Sequence, residues 1–487
     1  MSFTSQLFDM NLPKSLPRYI VLSLFAAGAS AAAYALTLAE IRQKVDDGKY
    51  NAALFDLENL KTEDPAAAKG REWHELAGIC RFQQADYAAA RPLLETARQK
   101  GSKEVDLYLG RLAFLDYDFP LAHKLYGSYA AAREKAGKPE SEALEKYDSQ
   151  LLAAENALSR VEKIVIIDSL AVPVESFIKS YKLPPSSGRL LLPEEMPIDD
   201  HRTGTVMAFT NEGEDFMMWA EPDSEGKVRL MESIRLTDGS WQKPVFTSET
   251  LDESGNADYP FMMPDGTTLY YAADGDESMG GFDIFVASRD AATGEYLQPQ
   301  NLGMPYNSPY DDFMLAIDEE NGVGWWATDR NQLDDKVTVY VFITNDLRNN
   351  YNPDEEEDIM AKARISSFRD TWTPGEEAKY KALLADVENS SKVEKKRVDF
   401  HIPLPGGRMA TNMDDFRDRT QRDLAKRYLA AMADYDTARE DLETLRMQYA
   451  AGSTSLRQDI IEAERESESL LKALRKARSD FYRSFSK

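Results

Sequence analysis

The stretch that decides the fold is "PFMMPDGTTLYYAADGDESMGGFDIFVASR", Pro260 to Arg289. Asp265-Gly266 is a hairpin dipeptide, because glycine accepts the positive φ that a tight turn needs. Leu269 to Ala273 and Phe282 to Ala287 are short runs rich in aromatic and branched residues, the composition of half-buried strands. An acidic loop ending in a glycine pair, Asp274 to Gly281, lies between them. The pattern recurs. "FMMWA" (Phe216 to Ala220), "LYYAA" (Leu269 to Ala273) and "GWWAT" (Gly324 to Thr328) each follow a turn dipeptide, Glu212-Gly213, Asp265-Gly266 and Asn321-Gly322. Each precedes a further strand-like run: "KVRLMESI", "FDIFVAS" and "VTVYVFI".

A four-stranded unit repeating at about 50 residues has the period of a propeller blade. The motif "MPDGTTLYYAADG…GGFDIFVASRD", with Asp265, Gly266, Gly280, Gly281 and Asp283 at its fixed points, resembles the PD40 (WD40-like, TolB-type) β-propeller repeat. "NLGMPYNSPYDDFMLAIDEENGVGWWATDR" is similar to the start of the next blade, and Asp334-Asp335-Lys336 replaces the glycine pair in the third copy. Three copies are fewer than a closed ring needs. The strand-like "ARISSFRDTW" (363–372) and "KRVDFHIPLPGGRMATN" (396–412) are therefore expected to help complete it. The propeller is placed at 161–350, opened by the strand-like "RVEKIVIIDSLAVPV". An acidic linker and the closing strands follow at 351–412.

Upstream, residues 36–160 are alanine-rich and helical, with internal similarity at 32 to 37 residues. Aligning Ala53, Ala90 and Ala122 brings Leu57, Leu94 and Tyr126 into register, and Gly78 and Gly110 both precede their alanines by twelve. Small residues let paired helices approach closely, and larger ones fill the space between pairs. The pattern resembles the tetratricopeptide repeat (TPR), an α-solenoid whose first helices line a groove for peptide or protein segments. That resemblance places Glu72, Glu75, Ile79, Phe82 and Gln83 of the second repeat on the groove. From the third repeat it adds Glu104, Leu107, Arg111, Phe114 and Leu115. Downstream, residues 413–487 step their apolar positions by three or four on both sides of "AAGSTS" (450–455). This predicts an antiparallel helical hairpin of coiled-coil type, packed on its own domain or serving as a partner-binding arm. The fold class expected is thus multidomain α + β: TPR solenoid, central propeller of PD40 blades and C-terminal hairpin.

The 487-residue chain is 43% hydrophobic and 29% charged, an ordinary globular mixture. Its formal charge of −26 argues against a nucleic-acid partner, since phosphates require a basic surface. Lys14 and Arg18 precede the apolar run Tyr19 to Ala35, which ends in Ala33-Tyr34-Ala35; residues 1–35 read as a signal peptide, so export is expected. The single cysteine, Cys80, excludes an intrachain disulfide and sits in a helical apolar pattern as a buried thiol.

Little points to catalysis. The four histidines, His74, His123, His201 and His401, form no ligand pair, and no nucleophile elbow, phosphate loop or dinucleotide fingerprint occurs. Asp274, Asp276 and Glu277 offer carboxylates to calcium, but Phe285 stands where an EF-hand requires glutamate; the competing reading is a blade rim with Asp283 bonding the backbone. Trp219, Tyr270, Tyr271, Trp325 and Trp326 either fill the core or line a glycan or peptide platform. In order, the segments resemble exported TPR–PD40 proteins of Bacteroides-type cell envelopes. The resemblance implies a non-enzymatic periplasmic scaffold or adaptor without a cofactor, binding protein partners in an outer-membrane or secretion-type assembly. A ligand-sensing propeller is the alternative, with a hydrolase behind it.

Overall fold

A computed structural model describes residues 37–391 and 402–485, apart from 199–203, 237–238, 253–254, 291–292, 354, 357, 405–407, 411, 417–418 and 451–455. The expected signal peptide, His201, His401 and most of the hairpin loop lie outside the described residues. The chain is mixed α/β: N-terminal helices, antiparallel sheets, then C-terminal helices. It divides into two compact units at Val393.

Among the described residues seven helices come first: α1 (Leu38–Asp46), α2 (Tyr50–Glu63), α3 (Arg71–Gln83), α4 (Tyr87–Gln99), α5 (Asp106–Leu115), α6 (Phe119–Lys135) and α7 (Glu142–Leu158). Side-chain oxygens of Thr37, Asp86, Asp118 and Ser141 accept from the exposed N–H groups that open α1, α4, α6 and α7. The turns inside the first three pairs each hold one left-handed residue: Gly48 (φ 73°), Ala85 (φ 59°) and Tyr117 (φ 65°). The pairs close at their glycines. A Cβ on Gly78 would stand 2.7 Å from the Leu94 side chain, and one on Gly110 would meet Tyr126 at 2.5 Å. The residues brought into register by the repeat alignment are therefore the ones in contact.

Fifteen strands follow among the described residues. β1 (Val165–Pro173) is followed by β2 (Arg189–Leu191), β3 (Ala208–Thr210), β4 (Phe216–Pro222), β5 (Val228–Ile234) and β6 (Val245–Phe246), of which the last five form one sheet in chain order. After the short α8 (Glu249–Asp252), a second sheet comprises β7 (Ala257–Met262), β8 (Thr268–Ala273), β9 (Asp283–Ser288) and β10 (Gln300–Asn301). The third contains β11 (Asp312–Asp318), β12 (Val323–Thr328) and β13 (Lys336–Ile343); its fourth strand is β1, paired antiparallel with β13 from Val165↔Ile343 to Pro173↔Lys336. Each sheet thus carries one copy of the turn–strand–strand repeat. The inner faces meet around Phe177, whose ring packs edge-on against Tyr259 and Phe313, while Phe209 meets Phe261. The Tyr181 hydroxyl donates to the Met314 carbonyl at 2.6 Å.

Two helices close the first unit, α9 (Ile359–Arg364) and α10 (Glu377–Ser390). Here one expectation fails: 363–372 is no strand, but the end of α9 and a 3-10 turn at Phe368–Thr371. Asp358 caps α9. The segment then grips the bulge in β1 with side chains instead of a backbone ladder: Ile166 N–H donates to Thr371 Oγ1 (2.9 Å), and Trp372 Nε1 donates to the Ile166 carbonyl (2.6 Å).

In the second unit, β14 (Ile402–Leu404) and β15 (Arg408–Ala410) pair with each other, and among the described residues neither extends the three sheets. Residues 396–401, 405–407 and 411 of the segment expected to help close the ring lie outside the described residues. α11 (Arg419–Ala450) and α12 (Arg457–Arg483) form the expected antiparallel hairpin, with Tyr428 stacked on Phe481 at one end and Arg446 paired to Glu464 towards the other. Ile402, Leu404, Ala410, Phe416, Ala425 and Phe481 make its small core. No helix among the described residues is long and apolar enough to cross a membrane.

Candidate functional site

The residues singled out by the repeat signature gather where the helices meet the loop ends of the second and third sheets. Asp265 stands apart at the opposite end, accepting from Thr267 N–H (2.7 Å) and Thr268 N–H (2.8 Å), which fixes the β7–β8 turn with Gly266 at φ 68°. At the loop end, Gly280 and Gly281 are required by close approach. A Cβ on Gly280 would fall onto the Tyr310 and Ser308 carbonyl oxygens, and one on Gly281 onto the Asp311 carboxylate. Asp283 is fully buried. Its carboxylate accepts from Met279 N–H (3.0 Å), Gly280 N–H (3.1 Å) and Asn301 Nδ2 (2.8 Å). Burial pushes the Asp283 carboxyl up to about 8, against the pull of those donors.

Beside it lies a second polar cluster that sequence reading did not single out. Asn307 holds β9 at both ends of one residue, accepting Ile284 N–H (2.7 Å) and donating to the Ile284 carbonyl (2.9 Å). Arg330, 9% exposed, donates to the Pro305 carbonyl (3.0 Å), the Tyr306 carbonyl (2.6 Å), Thr328 Oγ1 (3.0 Å) and the buried Asp312 carboxylate (2.6 Å). Burial raises the Asp312 carboxyl above its usual range and Arg330 opposes the shift. Both residues lie in the quoted segment "NSPYDD…WWATDR", but a buried arginine is visible only once the strands are assembled.

Of the residues assigned to a groove, the apolar ones lie inside the helical core. Phe82 and Phe114 are 6% and 0% exposed; Phe82 packs on Tyr87 and Tyr108, Phe114 on Phe119 and the Arg111 guanidinium. Glu75, 4% exposed, is held by Arg42 (2.9 Å) and Ser102 Oγ (2.6 Å). Ile79, Leu107 and Leu115 are buried too. Glu72, Glu104 and Arg111 are half-buried, and only Gln83 of the expected groove residues is exposed. Met279, Met304 and Ala363 also belong to the helical core. Arg111 holds Gln150 of α7 (2.8 Å), which donates to the Gly280 carbonyl. Phe82 and Phe114 are thus packed inside the helical layer rather than exposed as groove anchors.

The calcium candidates divide. Asp274 is engaged with Asn256, accepting from its N–H (2.8 Å) and Nδ2 (3.0 Å), while Asp276 and Glu277 are exposed. Among the described residues no group of three or more His, Cys, Asp or Glu is placed to hold a metal. The repeat aromatics are mostly interior: Trp219, Tyr271, Trp325 and Trp326 are at most 1% exposed, and Tyr270 is half-buried. Burial pushes the Cys80 thiol up to about 12, far from a reactive thiolate. His74 Nδ1 lies 2.7 Å from the Gly70 carbonyl.

A cleft of about 420 Å³ opens at the hairpin-turn end, between Asn211–Gly213 and Met263–Gly266, floored by Phe209 and Met262. Its one cation, Arg289, is engaged with the Gly294 carbonyl (2.9 Å) and the Tyr296 ring. The arrangement can hold loops rigid and can offer surfaces. Comparison with family models, with curated proteins and with solved structures gives no match to this chain.

Proposed function

We propose that the protein is a non-enzymatic scaffold of the cell envelope, exported by residues 1–35, which holds protein partners in an outer-membrane or secretion-type assembly. In this reading the three sheets are PD40-type blades, with β1 as the outermost strand of the last one, and the seven helices are a TPR-like layer fused to them. One observation carries the proposal: the signature acids and glycines at the loop end are engaged in fixing the helix–sheet junction rather than free for substrate. Large apolar side chains meanwhile face solvent on the helices, Phe55 (69% exposed) on α2 and Leu152 (60%) on α7. Exposed anchors of this kind suit recognition by another protein. A glycan platform is disfavoured by the burial of the repeat tryptophans.

The test is crosslinking in intact envelopes, capture of the tagged chain, and identification of co-purifying proteins. The control carries Phe55→Asp and Leu152→Asp, which leave the core untouched; Phe82 and Phe114 would report unfolding instead. Enrichment of one envelope complex, lost in the control, supports the scaffold. If nothing is enriched over an untagged strain, the proposal falls.

A further inference from the structure

The hairpin of α11 and α12 carries two features that its own fold leaves unanswered, and both have the same solution. The first is apolar. At the basal end Ala425, Phe416 and Phe481 are buried, but along the shaft, residues 429–477, Leu442 alone of the described large apolar side chains is buried. Leu429, Met432 and Tyr435 of α11 remain half-exposed, as do Ile460, Ile461, Leu470, Leu471 and Leu474 of α12. Adjacent pairs such as Ile460-Ile461 and Leu470-Leu471 widen the apolar stripe of α12 beyond the single seam that one facing helix can cover. A stripe of that width belongs to a bundle of more than two helices.

The second feature is electrical. In the basal half, α11 presents Arg419, Arg422, Lys426 and Arg427 to solvent, against one carboxylate, Asp423. The adjoining end of α12 exposes Lys472, Arg475, Lys476, Arg478 and Arg483, against one more, Asp480. Nine cations and two carboxylates leave that half at +7. The distal half, 434–450 with 457–468, holds four cations and ten carboxylates, or −6. In a chain of net charge −26, the hairpin is thus a rod with a basic base and an acidic tip.

From this we infer that the hairpin is a dimerisation element: two copies of the chain pair their hairpins side by side and antiparallel, basic half against acidic half, to form a four-helix bundle. A rod with opposite ends is complementary to itself only in that orientation, and the contact is isologous, with each copy lending its base to the other's tip. A parallel pair would set +7 against +7. The size is sufficient: α12 alone is about 40 Å long, and two helices side by side are about 20 Å wide, so one face offers roughly 800 Å² per partner, a standard interface. The proposal concerns self-association and stands or falls apart from the scaffold reading.

The experiment is sedimentation equilibrium of the full chain with two charge-reversal variants, on exposed residues outside the hairpin's own ion pairs. One is R422E/R475E/K476E, which takes the base from +7 to +1; the other is E443K/D459K/E466K, which takes the tip from −6 to 0. Far-UV circular dichroism checks that both keep their helix content. The wild type should be dimeric at about 10 µM, and each variant alone should dissociate roughly tenfold or more easily. Mixed in equal amounts, the variants should associate more tightly than either alone, because one full base–tip contact returns. A monomeric wild type, variants as tight as wild type, or a mixture no tighter than its components would each overturn the inference.

Discussion

Replacing Arg330 with methionine removes the only cation within hydrogen-bonding distance of the buried Asp312 carboxylate among the described residues. Ser308 Oγ, at 2.6 Å, is left as a neutral donor, and the Pro305 and Tyr306 carbonyls each lose an N–H partner. Breaking one side of a buried ion pair costs about 3–5 kcal/mol, because the remaining charge stays desolvated. The carboxyl escapes by taking up a proton, and that route gives its own magnitude. Holding a carboxyl of ordinary unfolded value near 3.9 protonated costs about 1.4 kcal/mol per pH unit above that value, so about 4 kcal/mol at pH 7 and about 1.5 kcal/mol at pH 5. Urea unfolding followed by the fluorescence of Trp325 and Trp326, on the strand before Arg330, measures both. The loss should shrink by about 2–3 kcal/mol between pH 7 and pH 5, and it should shrink at pH 7 when Asp312→Asn is added to the same chain. A loss below about 1 kcal/mol at pH 7, or one that does not change with pH, would refute the assignment of Arg330 as the counter-charge of this junction.

Asp258 tests the same effect of burial on a second carboxyl. Burial pushes its carboxyl up to about 7, above the unfolded value, so the folded form binds the extra proton and stability falls as pH rises from about 4 through about 7. Asp258→Asn keeps the acceptor for Tyr259 N–H and should flatten that fall, as read from urea midpoints at pH 5 and pH 9. Gly280→Ala forces a methyl group onto two backbone oxygens and should cost about 2 kcal/mol or more, with faster proteolytic cleavage between 274 and 282. Because Asp274 is already engaged with Asn256, calcium should leave the thermal midpoint unchanged and give no calorimetric heat; a saturable endpoint would restore the loop as a metal site.

What the sequence disclosed was local. The glycine-to-large pairing of Gly78 with Leu94 and Gly110 with Tyr126 was legible because close helix packing constrains both partners at a fixed spacing. Asp265 was legible because its side chain bonds its own turn. What stayed hidden was tertiary. Phe82 and Phe114 have the spacing of groove anchors, and nothing in that spacing records that Tyr87 and Tyr108 pack on the one ring and Phe119 on the other. Residues 363–372 carry the aromatic and branched composition of a strand, yet a capping Asp358 and two side-chain bonds to Ile166 outweigh that preference. Of the junction, Asp283 was readable as a backbone anchor, whereas Arg330 was not, since two of its acceptors, the Pro305 and Tyr306 carbonyls, come from a loop some 24 residues away.

The pairing of β1 with β13 explains why the helices and sheets pack as one unit. α7 ends at Leu158 and β1 begins at Val165, too short a span for a free linker. That span is itself held: Glu162 N–H donates to the Met304 carbonyl (3.0 Å), Lys163 N–H to the Asn349 carbonyl (2.7 Å), and Tyr351 N–H to the Val161 carbonyl (2.8 Å). Arg348 adds a bond to the Arg160 carbonyl (3.1 Å). The chain therefore enters and leaves the sheets side by side, and fraying of β13 would release the root of the helical layer as well. Two modules joined by a flexible tether would move independently. Joined through a shared strand and a buried polar junction, they present one fixed surface, which is the property a scaffold requires and the reason that the Arg330 substitution should loosen the helical layer along with the third sheet.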